Sequence, residues 1–243
     1  MEVCSVKAIT ASPSDGIVTD IQRCDHCGEC VAICSEEARK LIGEVVTVED
    51  VLYEVEKDSP FYHRSGGGVT LSGGEPTLQP EFATEILKGT WKQGFHNAIE
   101  TCAYVKWETL DKLLPYLNLI YIDIKHMSSE KHKYLTGKDN DLIIENVKRI
   151  DKVYTNLPII VRIPVVPGMN DDADNIRKTA KLVSQLKQAE RIELLPYHRY
   201  GILMYNVLFR DYTLQKVEVP SEEHLKDLEN IIRSYHVPVQ IGG

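Results

Sequence analysis

Short apolar runs alternate along this chain with stretches whose apolar residues recur at helical spacing. Gly68-Val69-Thr70-Leu71-Ser72 is a β-rich run, and a helix is predicted to follow from about Pro80 to Trp91. Ala98-Ile99-Glu100-Thr101, Leu119-Ile120-Tyr121-Ile122-Asp123-Ile124, Ile159 to Val165 and Arg191 to Leu195 read as further strands, and Val237 to Ile241 closes the series. Val51, Leu52 and Val55 are helically spaced behind Val45 to Asp50, and Asp172 to Gln188 and Ser221 to Tyr235 have amphipathic spacing. Strand and helix alternating at this interval predict an α/β fold of parallel strands joined by crossover helices. The strands are nearly continuous in apolar residues, which predicts a sheet covered on both faces. Residues 1–43 lack strong periodicity and form a separate cysteine-bearing segment, leaving 44–243 for the α/β body.

Parallel sheets carry their chemistry at the C-terminal strand ends. Here those ends are Ser72-Gly73-Gly74-Glu75-Pro76, Glu100-Thr101, Asp123-Ile124-Lys125, Pro167-Gly168 and Pro196-Tyr197-His198. Gly73 and Gly74 allow the backbone to approach a ligand closely, and Glu75 can orient an amine or a hydroxyl. The same residues also suit a tight turn into a helix that Pro76 begins. Asp123 and Lys125 alternate onto one face, where they line a barrel mouth or form an internal ion pair. Arg162, inside an apolar strand, needs a carboxylate partner, which Glu100 or Glu193 can supply. His198 reads either as a ligand contact or as a surface histidine.

The balance of 43% hydrophobic and 26% charged residues is that of an ordinary globular chain, and 243 residues can bury a substantial core. A net charge of −8 argues against a nucleic-acid partner. No apolar run approaches a membrane span, and Met1-Glu2-Val3-Cys4 shows no signal peptide. A cytoplasmic protein with no membrane partner is expected.

Five of the six cysteines lie in the first 34 residues. Cys24, Cys27, Cys30 and Cys34 read C-x2-C-x2-C-x3-C, the spacing of a bacterial-type iron–sulfur ligand run in which the fourth cysteine serves a second cluster. Cys4, in Cys4-Ser5-Val6-Lys7-Ala8-Ile9, looks like the tail of an earlier run. Cys4, Cys24, Cys27 and Cys30 would then complete one auxiliary 4Fe-4S cluster, with Cys34 left lacking its partners. A zinc site would draw its four ligands from these cysteines and His26, but the x2-x2-x3 spacing favours iron and sulfur. Ser5 and Ser35 stand where proline often follows the last cysteine. Cys102 stands apart and is expected to be a small buried residue. The half-run at Cys4 leads to the expectation that the chain is cut at its N-terminus.

Phe61-Tyr62, then Ser65-Gly66-Gly67-Gly68-Val69-Thr70-Leu71-Ser72-Gly73-Gly74-Glu75-Pro76, Glu100-Thr101, Asp123-Ile124-Lys125, Arg162 with Val165-Val166-Pro167-Gly168, and Leu194-Leu195-Pro196-Tyr197-His198 follow in this order over nearly the whole chain. Together they resemble the activating enzymes of glycyl-radical enzymes, within the radical S-adenosylmethionine (SAM) superfamily. The resemblance implies a partial (β/α)6 barrel of parallel strands, here lacking its first strand, plus a small N-terminal ferredoxin-like cluster segment. It places Gly73, Gly74 and Glu75 around the SAM methionyl amine, and Asp123, Ile124 and Lys125 by the carboxylate and ribose. Arg162 belongs to the same cofactor site, and His198 lies near the adenosyl group. Glu100, Thr101 and Asp123 would frame a small cation.

The implied reaction is reductive SAM cleavage to a 5′-deoxyadenosyl radical, which takes hydrogen from a glycine Cα of a partner glycyl-radical enzyme. An electron donor such as flavodoxin or ferredoxin is implied as a second partner. One departure stands out. The family holds its catalytic 4Fe-4S cluster with C-x3-C-x2-C, and this sequence contains no such triplet. Cys27, Cys30 and Cys34 run in the reverse order, x2 then x3. The expectation is that the triplet lies before Met1 and that the chain as given does not cleave SAM. The competing functions are an iron–sulfur electron-transfer module and a cofactor-free scaffold for a partner.

Overall fold

A computed structural model of the chain describes residues 2–13, 16–208 and 210–242. In chain order its elements are β1 (Ile9–Ser12), β2 (Gly16–Thr19), α1 (Glu29–Ala32), α2 (Val48–Glu56), α3 (Ser59–Ser65), β3 (Gly68–Leu71), α4 (Pro80–Lys92), β4 (His96–Thr101), α5 (Trp107–Leu113), β5 (Leu119–Asp123), α6 (Ser129–Thr136), α7 (Asp141–Val153), β6 (Ile159–Val165), α8 (Ala173–Val183), β7 (Ala189–Pro196), α9 (Ile202–Val207), α10 (Glu222–Arg233) and β8 (Val239–Ile241). Two units emerge. One is Met1–Thr47 with Ile202–Tyr212, and the other is Val48–Gly201 with Thr213–Gly243.

In the first unit β1 and β2 form an antiparallel hairpin, with Ile9 opposite Thr19 and Ser12 opposite Gly16. Ile17, Ile33, Leu41, Ile42 and Val45 are all exposed, while Ala8 is fully buried. A segment with so little apolar burial has scant core to hold it, which suits one organised by bound metal.

In the second unit six strands lie in the order β3-β4-β5-β6-β7-β8, each parallel to the next. The sheet is open, with β3 and β8 at its two ends among the described residues. That is an α/β fold of the partial (β/α)6 barrel type rather than a closed barrel. The expected helix over 172–188 ends earlier, at Val183, where Ser184 caps it with its N–H bonded to Ala180 and Leu182 carbonyls. The one over 221–235 runs Glu222–Arg233, with the Ser221 hydroxyl accepting from His224 N–H at its start.

Both strand faces are largely buried, with Ala98 and Ile160 covered on one and Ile99 and Val161 on the other, but toward the C-terminal ends the two faces differ. Ile99, Ile120, Ile122, Val161, Ile163, Ile192 and Leu194 join Leu87, Leu113, Val147, Ile176, Ala180 and Leu228 of the helices in one buried core. Alternation sends their neighbours to the opposite face. Register there sets Glu100 beside Tyr121, Asp123 beside Arg162, and Arg162 beside Glu193. A row of polar residues therefore crosses one face of the sheet near its C-terminal edge. No helix among the described residues is long and apolar enough to cross a membrane.

Candidate active site

Arg162 is the hub of that row. Its Nη1 lies 2.9 Å from Glu100 Oε1, and its Nε donates to Asp123 Oδ1 at 3.0 Å. Direct strand register brings Asp123 and Arg162 together, and the guanidinium lies over the Tyr121 ring, 5.2 Å from its centroid. Ser72, just past β3, donates its hydroxyl to Glu100 Oε2 at 2.8 Å. Lys125 donates to Asp123 Oδ2 at 3.1 Å. Two carboxylates and two cations thus balance at the strand ends. The Arg162 side chain is 13% exposed and that of Lys125 35%, so the ammonium is the more accessible cation. An ammonium has three donors, and a carboxylate-bearing ligand can take those that Asp123 does not. Burial pushes the Glu100 carboxyl up, but hydrogen bonds from Arg162 and Ser72 outweigh it and hold the group below its ordinary range.

The sequence offered Glu100 or Glu193 as partner to Arg162. Glu100 takes that place together with Asp123, while Glu193 is paired with Arg191 at 2.6 Å. Arg162 is here the cation that Glu100 and Asp123 share. Thr101 donates its hydroxyl to Glu75.

Glu75 faces inward to its own loop. Oε1 accepts from Thr77 N–H at 3.1 Å, Thr77 Oγ1 at 2.7 Å and Thr101 Oγ1 at 2.7 Å. Oε2 accepts from Cys102 N–H at 2.9 Å. Both oxygens are engaged, so the side chain ties the loop after β3 to the end of β4. Burial raises the carboxyl's affinity for a proton, but the bonds from Cys102, Thr101 and Thr77 prevail and hold it ionised below its usual range. Cys102 is half-buried, and burial together with Glu75 pushes its thiol up to about 11. Gly73 has a φ of +113°, which excludes a side chain at low cost. A Cβ built on Gly73 or Gly74 meets nothing within 4 Å, so the loop presents an open backbone face.

The other expected residues fall as follows. Ile124 buries its side chain in the core, while its N–H donates to the Arg162 carbonyl at 2.9 Å. His198 is exposed, its ring 4.6 Å from that of Tyr200. Cys4, Cys24, Cys27, Cys30 and Cys34 are free thiols. Among the described residues no three Cys, His, Asp or Glu side chains converge as a metal site. The donor chemistry of the run suits an iron–sulfur cluster, but the C-x3-C-x2-C ligands of a SAM-cleaving one are not in this sequence. A groove of about 410 Å³ lies elsewhere, between α4 and α5, lined by Glu81, Thr84, Glu85, Lys88, Asp111, Lys112, Pro115 and Tyr116.

Sequence reasoning missed Ser72 as a partner of Glu100, Tyr121 beneath Arg162, and two buried asparagines. Asn170 bonds the Lys125 and Pro164 carbonyls, and Asn175 bonds the Met127 N–H and the Asn170 carbonyl. The only signal of Asn170 was its position two residues past Pro167-Gly168, where a turn asparagine is unremarkable.

The pattern of the radical SAM superfamily matches residues 22–183. The isethionate sulfite-lyase activating enzyme of Oleidesulfovibrio alaskensis is 40% identical over 237 residues, spanning 97% of this chain and 76% of that one. The 4-hydroxyphenylacetate decarboxylase activating enzyme of Clostridioides difficile is 36% identical over 98% of this chain and 76% of its own length. The crystal structure of a domain of pyruvate-formate lyase-activating enzyme from Bacteroides vulgatus overlays with a TM-score of 0.61 at 35% identity, covering 73% of this chain and 99% of that one.

Proposed function

We propose, from the premise that this chain belongs to the radical SAM superfamily and within it to the glycyl-radical enzyme activating enzymes, that the C-terminal ends of β3 to β7 form its SAM site. The observation that carries this reading is the convergence of the open Gly73-Gly74 backbone with Glu100, Asp123, Lys125 and Arg162 on one edge of the sheet. SAM offers an amine, a carboxylate and an adenosine. The Gly73-Gly74 backbone and Glu100 suit the amine, and Lys125 suits the carboxylate or ribose. His198 and its neighbours would meet the adenosine. Glu75 holds the glycine loop in place rather than touching the ligand. In this family SAM supplies, once reduced, the group that removes hydrogen from a glycine Cα of the partner enzyme. The C-x3-C-x2-C ligand set of a reducing cluster is not in this sequence.

The protein partner in this reading is a glycyl-radical enzyme, and the electron donor is a small low-potential carrier such as flavodoxin or ferredoxin. The N-terminal thiols are assigned to an auxiliary 4Fe-4S cluster through Cys4, Cys24, Cys27 and Cys30. A cysteine run of cluster-ligand spacing, rather than of a disulfide framework, supports a cytoplasmic location. An iron–sulfur electron-transfer module would need only the cysteine segment and gives no reason for the charged strand ends.

Anaerobic equilibrium dialysis against labelled SAM tests the reading. Saturable binding of one SAM per chain is expected, weakened about tenfold or more in Lys125→Met, where the charge-assisted contact to the carboxylate is lost. Equal binding by the variant would reject this site.

A further inference from the structure

We propose that Asn170 is a positioning residue for this site, aiming Lys125 by standing in for a missing rung of the β5–β6 ladder. The inference rests on the reading of the strand ends as the SAM site. The ladder register ends at Asp123 beside Arg162, and the bond from Ile124 N–H to the Arg162 carbonyl is the next contact outward. Beyond it, among the described residues, no further backbone bond joins these two strands at the Lys125 and Pro164 carbonyls. Asn170 fills the gap. Its Nδ2 donates to Lys125 O at 2.9 Å and to Pro164 O at 2.7 Å, while its Oδ1 accepts from Val166 N–H at 2.8 Å. A carboxamide carries the donors and acceptor of a peptide group, so it can continue a ladder where no strand does.

The residue is 3% exposed, and Asn175 anchors it in turn. Asn175 Nδ2 donates to Asn170 O at 2.7 Å, and its Oδ1 accepts from Met127 N–H at 2.8 Å. The backbone is therefore gripped at Lys125 and again at Met127, and Lys125 projects from a fixed base. Another buried asparagine, Asn97, also bonds two carbonyls, those of Leu87 and Tyr116, but the backbone it holds bears none of the charged strand-end residues. What sets Asn170 apart is the identity of the backbone it holds.

The donor pattern makes Asn170→Asp a sharp probe. The volume is kept, but an acceptor then faces two carbonyl oxygens in a buried site. SAM affinity and melting temperature are to be measured for the unaltered chain, Asn170→Asp, Lys125→Ala and the double variant. Lys125→Ala should weaken SAM binding, and Asn170→Asp should weaken it about tenfold on its own. In the Lys125→Ala background the further loss should be under about twofold, while the drop in melting temperature should be the same in both backgrounds. A purely structural residue would weaken binding equally in both, and that result, or unchanged affinity in Asn170→Asp, overturns the proposal alone. Unchanged affinity in Lys125→Ala, or no SAM binding by the unaltered chain, overturns the site reading and the proposal with it. Should Asn170→Asp fail to fold, Asn170→Ser, which keeps one donor, goes through the same cycle, and failure of both to fold assigns Asn170 to the fold and rejects the proposal.

Discussion

Replacing Arg162 by Met removes the one cation that Glu100 and Asp123 share while keeping most of the aliphatic bulk over Tyr121. Losing one partner of a fully buried ion pair costs about 3–5 kcal/mol. The Glu100 and Asp123 side chains are 31% and 22% exposed, so solvent relieves part of that, and about 2–3 kcal/mol is expected. In a chain of this size the melting point should fall by about 5–10 °C at pH 7. The pH dependence carries a sign. In the unaltered chain Glu100 is held below its ordinary value of 4.5, so its contribution is complete above that pH and is lost as pH falls through the lowered value. In Arg162→Met the two carboxylates repel, and acid relieves the repulsion. The gap between the two proteins should be widest near neutrality and narrow below pH about 4.5. Circular-dichroism melts at pH 7 and pH 4 measure both quantities, and adding Glu100→Gln should recover part of the loss. An unchanged melting point at pH 7, or a gap that stays constant into acid, would refute the hub role of Arg162.

Gly73 and Gly74 should respond differently to alanine. Gly73→Ala places a Cβ at a φ of +113° and should cost about 1–3 kcal/mol, whereas Gly74→Ala enters open space and should leave stability within about 0.5 kcal/mol while still weakening SAM binding; equal melting points for the two would remove the strain argument. In the cluster-free chain Cys102, half-buried and with its thiol pushed up to about 11, should be alkylated by iodoacetamide at pH 8 more slowly than the exposed Cys27, whose thiol is also raised. Peptide mass spectrometry would show this, and equal rates would mean that burial and Glu75 do not hold the thiol protonated.

The strands that build the site were legible because their apolar runs are long enough to stand out and polar or glycine-rich residues follow each one. That Arg162 pairs with a carboxylate was legible too, since a guanidinium in an apolar strand demands one, but the choice of Glu100 over Glu193 and the sharing with Asp123 were not. The β1–β2 hairpin was not, because four-residue strands with mostly exposed side chains show no alternation. Nor was α6, whose only buried residue is His132 and which therefore lacks an apolar stripe. The inward turn of Glu75 depends on Thr101 and Cys102, which lie 26 and 27 residues further on, and no local pattern reports it. Asn170 acts on backbone groups, so its partners leave no mark in their own side chains. The unequal faces of the sheet escaped notice because single polar residues in β4, β5, β6 and β7 look isolated until register aligns them.

A crystal structure of the chain grown with SAM tests the strand-end site most directly. The account predicts SAM against the Gly73-Gly74 backbone, with its charged groups at Glu100 and Lys125 and its adenosine toward His198. SAM seated instead in the groove between α4 and α5, against Glu81, Lys88, Asp111 and Tyr116, with the strand ends untouched, would contradict it.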